Sequence, residues 1–385
     1  MKKLISILSA ACLLAGSTAM TGFTVKNSKE ELVKGCKSAY LIEYTSGECI
    51  YKENEFSRMP IASVCKVMTL TLALDAVQCG AMQLDEIVTA SENAAGMGGS
   101  QVFLGSGCQY TLDQLLKSIV VCSANDSCVA VAEKVAGSEE GFIAKMNKKA
   151  EELGCNDTLF ANCTGLPKEN QYSCAHDVAL MFKNLLSHES YFNYSKIWLE
   201  DFVHPDNRTT TMTNTNKLIK KYSLCDGGKT GFTNEAGFCL AATAKKDDMR
   251  LISVVLGADS SDNRFNSTVG MFNYGFANYK NKIVLDKDVT LNDEFMVSGG
   301  KKQSFAVCPE RNCYVFSAIE SSPEVTFNIV AEEVKAPVAK GQAVGKIEVY
   351  KNGIICDTVN VVSAEEVKKA GFGDYFVNIS ENWAM

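Results

Sequence analysis

Ser63-Val64-Cys65-Lys66 opens a strongly apolar helical run that extends to about Val77, with Pro60 ahead of it and Cys79-Gly80 closing it. On a helix, residues three apart share one face, so a hydroxyl and an amine emerge there side by side. A serine hydroxyl is a poor nucleophile near neutral pH and needs an adjacent base. An amine can be that base only when unprotonated, which burial or a nearby cation favours. Taken singly, a serine and a lysine at this spacing occur often by chance. Here Ser123-Ala124-Asn125 and Lys229-Thr230-Gly231 follow in order. A fold that uses all three must bring positions 63, 123 and 229 to one cleft.

The remaining pattern places helices between early and late strands. Residues 39–44 and 47–51 read as two strands around a Ser-Gly turn. Thr111 is suited to cap a helix carrying Leu112, Leu115, Leu116 and Ile119, with Ser123-Ala124-Asn125 at its end. Further helices are expected over about 126–135 and over 139–153, the latter closed by Gly154. Residues 238–244 and 250–256 are β-rich, and 263–279 carries aromatic and apolar residues at helical spacing. That order predicts a sheet covered by helices, not an alternating βαβ array. Beyond about 281 short alternating strands dominate, at 282–285, 305–307, 314–318, 325–330, 346–350 and 354–359. Asn352-Gly353 between the last two is a hairpin signal. The predicted organisation is a helix-covered sheet domain over 20–281 and a small all-β domain over 282–365.

Lys2 and Lys3, the apolar residues 4–14 and Ser17-Thr18-Ala19 read as an export signal over 1–19. The apolar stretch is too short to span a membrane. Export would place the chain outside the cytoplasm, in the cell wall or at the outer face of the cytoplasmic membrane. An excess of 45 acidic over 38 basic residues argues against a nucleic-acid partner. The chain has 16 cysteines and 3 histidines but no C-x-x-C, so zinc-site spacing is absent; no metal and no cofactor is expected. Cys12 lies in the signal, and the odd number that remains cannot all pair. Cys65, Cys128 and Cys239 sit in apolar runs where a thiol acts as a small hydrophobe. Mostly free, buried thiols are expected, suited to a reducing surrounding. Residues 366–385 form an amphipathic tail in which Phe372, Tyr375, Phe376, Ile379 and Trp383 share a helical face. Such a face suits peripheral membrane contact or docking on the protein itself.

The three motifs and their surroundings resemble the low-molecular-mass penicillin-binding proteins that are D-alanyl-D-alanine carboxypeptidases. Residues 62–69 are similar to the family's nucleophile helix, and Ser123-Ala124-Asn125-Asp126 to its second motif. Asn214-Thr215-Asn216 with Asp226-Gly227-Gly228-Lys229-Thr230-Gly231-Phe232-Thr233 resembles its third block, and Thr164-Gly165-Leu166-Pro167 also fits. The resemblance covers about 35–280, and 283–362 as the family's β-rich companion domain. It implies an α/β (α+β) β-lactamase-like fold with a five-stranded antiparallel sheet flanked by helices. The implied reaction is serine-type removal of the terminal D-alanine from peptidoglycan stem pentapeptides, with β-lactam antibiotics as inhibitors.

The resemblance also implies roles. Ser63 would be the nucleophile and Lys66 its base, with Lys229 supplying part of the repulsion that keeps Lys66 neutral. Ser123 would relay a proton between Lys66 and the leaving amine. Asn125 would anchor Lys66 and bond the substrate amide, and Lys229 and Thr230 would bind the terminal carboxylate. Gly231 would let the substrate backbone approach closely. The backbone N–H groups of Ser63 and Phe232 would form the oxyanion hole. Arg264 falls in a block where an arginine can help bind carboxylate.

Two other functions compete. A class A β-lactamase needs a glutamate to activate the deacylating water, and Glu152-x-x-x-Asn156 offers one in form only. Glu152 is expected in solvent, in the last turn of a polar helix. A non-catalytic cell-wall binding protein would not need the complete motif set. Cys65, between nucleophile and base, is expected to point away from the cleft into the core.

Overall fold

Strands β1 (Ser38–Glu43), β2 (Cys49–Glu53), β3 (Cys225–Thr233), β4 (Gly237–Lys246) and β5 (Met249–Ala258) form one antiparallel sheet in the order β2-β1-β5-β4-β3. The computed structural model describes residues 32–291 and 294–374. The predicted export signal and most of the predicted tail lie outside them. The described residues of Val25–Ala277 form one compact unit and those of Asn278–Met385 another.

In the first unit, β1 and β5 are buried almost end to end, which explains their near-continuous apolar sequences. At one edge of the sheet lies β3, Cys-Asp-Gly-Gly-Lys-Thr-Gly-Phe-Thr, a run poor in intrinsic strand formers. Its register on β4 sets Lys229 opposite Ala241 and Gly231 opposite Cys239.

The longer helices are α1 (Lys66–Gln78), α2 (Leu112–Val121), α3 (Asn125–Ala136), α4 (Glu139–Glu152), α5 (Ala175–Leu185) and α6 (Ser261–Asn278). Thr111 caps α2 in a capping box with Gln114, and Ser138 caps α4. Helix α1 packs against α3, α4 and α5. Its Val67, Met68, Leu70, Ala73 and Leu74 are all buried. Each large side chain among them contributes about 1.5–3 kcal/mol of burial energy. None of the described helices is long and apolar enough to cross a membrane.

The start of the first helix differs from its sequence expectation. Ser63 lies in a 3₁₀ turn over Ala62–Cys65, and the α-helix begins only at Lys66. The expected strand at 47–51 starts at Cys49. Gly47 is left-handed, and the Glu43 carboxylate accepts from Ser46 N at 2.6 Å to close the turn before it.

The second unit pairs β6 (Tyr279–Leu285) with β9 (Cys313–Ala318). Its six-stranded sheet also uses β7 (Glu294–Ser298), β8 (Ser304–Pro309), β10 (Val325–Ala331), β11 (Val334–Lys335), β12 (Ala343–Lys351) and β13 (Ile354–Ser363), ordered β10-β12-β13-β8-β7-β11. Asn352 (φ 50°) and Gly353 (φ 78°) join β12 to β13, the paired positive φ that a two-residue hairpin turn demands. Strands β7 and β11 had no clear alternating pattern in the sequence.

Candidate active site

The turn that carries Ser63 is held in an unfavourable shape. Ala62 has φ 46°, a left-handed backbone that costs a non-glycine residue about 1–3 kcal/mol. Two glycines clamp this turn. A Cβ on Gly231 would lie 2.7 Å from the Ile61 carbonyl oxygen and 3.0 Å from Ser63 N. One on Gly165, itself at φ 80°, would overlap the Ala62 carbonyl. The space beside Gly231 was expected to serve the substrate backbone. The direction a Cβ would take is filled by the turn that carries Ser63.

Lys66, the first residue of α1, is fully buried. Its Nζ lies 2.9 Å from Ser63 Oγ, 2.7 Å from Asn125 Oδ1 and 2.5 Å from the Thr164 carbonyl oxygen. Burial pushes this ammonium below the ordinary lysine range. The Asn125 contact matches the sequence expectation; the Thr164 carbonyl was not foreseen, because a backbone acceptor leaves no mark in residue type. Three successive carbonyls along this loop accept from side chains at the start of α1. Asn162 O takes the Cys65 thiol at 3.4 Å, Cys163 O takes Thr69 Oγ1 at 2.7 Å, and Thr164 O takes Lys66. Cys65 therefore points into the core, as expected, and burial raises its pKa to about 12.

Ser123 links α2 to α3 at φ 67°. Asn125 opens α3; its Nδ2 donates to Gly98 O and its backbone N to Ser100 O, both at 2.7 Å. The adjacent Asp126, fully buried, accepts from Val102 N and Leu104 N at 3.1 Å and Ser127 N at 2.9 Å. The 98–104 loop is thus tied to the same helix end. Asp126 was read only as part of the second motif.

Lys229 projects from β3 and is also buried. Its Nζ donates to Ser123 Oγ at 2.8 Å and to Thr230 O at 2.9 Å. Burial first, then the charge of Lys66, pushes its pKa well down. The resemblance placed Ser123 between Lys66 and a leaving amine; its hydrogen-bonded amine here is Lys229. Thr230 Oγ1 donates to Thr215 Oγ1 at 2.8 Å. Phe232 is half exposed, its ring 4.3 Å from that of Phe238 between centroids.

Arg264 is not a surface charge. It is buried, and its Nη1 donates to Gly231 O at 3.3 Å and Cys239 O at 3.2 Å, bracing β3 on β4. Glu152 is exposed on α4 and lies 3.8 Å from Lys148.

Cys174, His176 and Asp177 bring ligand-type atoms within 4.8 Å of one another. Those atoms already serve the start of α5. Cys174 Sγ accepts from Asp177 N, and the Asp177 carboxylate accepts from Asp157 N and Thr158 Oγ1. An open hollow of about 570 Å³ is lined by Ala76, Cys79, Val135 and Lys148, among others, and by none of the motif residues.

Comparison with known proteins agrees with this geometry. Residues 25–260 match the sequence family described as D-alanyl-D-alanine carboxypeptidase, and residues 279–369 match the penicillin-binding protein 5 C-terminal domain. The chain is 37% identical to the D-alanyl-D-alanine carboxypeptidase DacF of Bacillus subtilis, over 100% of this chain and 99% of that one. It is 31% identical to DacC of Escherichia coli, over 94% and 92% respectively. The crystal structure of penicillin binding protein 5 from Haemophilus influenzae superposes with a TM-score of 0.67 at 28% identity, covering 87% of this chain and 98% of that one. A serine beside a buried lysine at a helix start, a second serine–lysine pair, and these matches along nearly the whole length lead to one conclusion: the chain belongs to the D-alanyl-D-alanine carboxypeptidase family of low-molecular-mass penicillin-binding proteins.

Proposed function

We propose that Ser63 is the nucleophile and Lys66 its base in the reaction of this D-alanyl-D-alanine carboxypeptidase, the removal of terminal D-alanine from peptidoglycan stem pentapeptides. The set of partners around the Lys66 nitrogen carries this reading. Asn125 Oδ1 and Thr164 O can only accept. In the neutral amine they take both N–H groups and leave the lone pair facing Ser63 Oγ. Burial favours that neutral form.

Ser63 Oγ attacks the carbonyl carbon of the penultimate D-alanine while its proton passes to Lys66. The C–N bond to the terminal D-alanine then breaks and its nitrogen takes up a proton. Ser123 accepts from Lys229, so its own O–H can donate to that nitrogen while its oxygen takes up the proton held by Lys66, which returns Lys66 to the neutral form. Water hydrolyses the ester on Ser63 and releases the shortened peptide. The N–H groups of Ser63 and Phe232 stabilise the oxyanion; loss of one such donor typically costs about 10²–10³ in rate.

Lys229 and Thr230 hold the terminal carboxylate of the substrate, with Gly231 beside them on an edge strand whose outer side can accept an extended peptide. The arriving carboxylate supplies the counter-charge that buried Lys229 lacks. Lys229 is then protonated, and its charge further disfavours a proton on Lys66. A β-lactam acylates Ser63 in the same way. Because peptidoglycan is the substrate, the enzyme acts outside the cytoplasm, in the cell wall or at the outer face of the cytoplasmic membrane.

Mass spectrometry of the benzylpenicillin-treated protein tests the assignment. An adduct on the peptide containing Ser63, absent from Ser63→Ala, is expected. Release of D-alanine by Ser63→Ala, or an adduct elsewhere, would falsify it.

A further inference from the structure

A lone pair is directed only as well as the carbonyls that hold the two N–H groups, and the Thr164 carbonyl sits on a turn in which Leu166 N donates to Thr164 Oγ1 at 3.3 Å and one neighbouring amide supplies the main support. That support is Asn162, which is buried. Its Oδ1 accepts from Gly165 N at 2.7 Å, from Thr164 N at 3.1 Å and from Thr164 Oγ1 at 3.2 Å. Its Nδ2 donates to Leu166 O at 2.8 Å. Both ends of the amide are therefore spent on the Thr164-Gly165-Leu166 turn. Gln171 fixes Asn162 from behind. Its Oε1 accepts from Asn162 N at 2.8 Å and Ala161 N at 2.9 Å, and its Nε2 donates to Asn162 Oδ1 at 3.3 Å.

We propose that Asn162 is a positioning residue for the general base: it aims the Thr164 carbonyl at Lys66 and so keeps the amine lone pair on Ser63. This rests on Lys66 being the base. Without the Asn162 amide, the Thr164–Gly165 peptide can rotate away. Lys66 then turns an N–H toward Ser63 Oγ, and proton transfer slows although the fold and the carboxylate grip remain. Gly165 also lies against the Ala62 carbonyl, so the same amide steadies the nucleophile turn.

The titratable groups acting on Lys66 are the thiols of Cys65, Cys122, Cys128 and Cys163, and Lys66 in turn acts on Lys229. Burial keeps those thiols protonated, and the carboxylates of Asp126 and Glu139 act on the thiols. Asn162→Asp would add a buried negative charge beside the Lys66 loop. It keeps the acceptor that Gly165 and Thr164 use but favours the ammonium form of Lys66.

The test measures benzylpenicillin acylation and D-alanine release against pH for the full chain. Asn162→Ala should acylate about 10- to 100-fold more slowly with little change in non-covalent affinity, a fraction of the usual general-base contribution. Asn162→Asp should move the acid limb of the rate profile to higher pH and recover rate above it. A role confined to stability would lower the melting temperature and leave the limb in place. The proposal is overturned if folded Asn162→Ala acylates at the unaltered rate, or if Asn162→Asp leaves the limb unmoved. Should neither variant fold, Gln171→Met must show a smaller loss of acylation rate, and its absence overturns the proposal equally. Failure of the unaltered enzyme to acylate at Ser63 would instead remove the underlying mechanism.

Discussion

The Lys229 amine donates to Ser123 Oγ at 2.8 Å across 106 positions of chain. Lys66 and Ser63 repeat the arrangement at 2.9 Å over three. The site is thus two hydroxyl–amine pairs, both amines buried, and the charge of Lys66 makes Lys229 harder to protonate.

The second pair is open to a direct test. Ser123→Gly and Ser123→Ala both remove the hydroxyl, and each should lower acylation by about 10²–10⁴. They should differ in stability. Ser123 stands at φ 67°, where glycine is at ease and alanine is not, so the glycine variant should be more stable by about 1–2 kcal/mol in urea. An alanine variant of equal or greater stability would contradict the left-handed backbone.

Acylation should depend on pH with a definite sign. The proposed mechanism needs neutral Lys66, and burial lowers its pKa from the ordinary value of 10.5. The second-order acylation rate should therefore be high above the lowered pKa and fall as pH drops through it. A limb at or above the ordinary value would show that Lys66 is not desolvated in solution. Lys66→Arg, charged at all accessible pH, should be inactive throughout.

Glycines that clamp the nucleophile turn should be costly to replace. Gly231→Ala places a Cβ 2.7 Å from Ile61 O and 3.0 Å from Ser63 N, so both stability and acylation should fall. Gly137→Ala is the control. Gly137 also has positive φ (79°) but meets nothing within 4 Å, so only about 1–2 kcal/mol of backbone strain is expected, with acylation intact. Urea denaturation and acylation rates on both variants would separate strain from collision.

Thiol reagents should spare the enzyme. None of the fifteen described cysteines is in a disulfide, and Cys49 and Cys79 are the exposed ones. These two should label quickly, the buried ones only on denaturation. Rapid labelling of Cys65 with loss of activity would place that thiol in the cleft rather than against Asn162 O.

Much of this architecture was legible because local chemistry carries it. The apolar run after Lys66 could only be a buried helix, Thr111 with Gln114 could cap α2, and Asn352-Gly353 could only turn a hairpin. The motif order also pointed to Ser63, Lys66, Ser123, Asn125 and Lys229 as one group. Strands β7 and β11 were missed because their pairing, Val297 with Val334, joins distant positions in segments without alternation.

The sequence by itself determined which residue types meet and that a serine and a lysine share one helical start. Only the tertiary structure decided what each one touches. Lys66 is oriented by a side-chain oxygen 59 positions away and by a backbone carbonyl 98 positions away. Gly231 makes room for the turn that carries Ser63, and Arg264 braces a strand. A carbonyl acceptor or an empty Cβ position belongs to no residue type in particular. Such contacts exist only once burial has removed water as the competing partner and packing has set the distance.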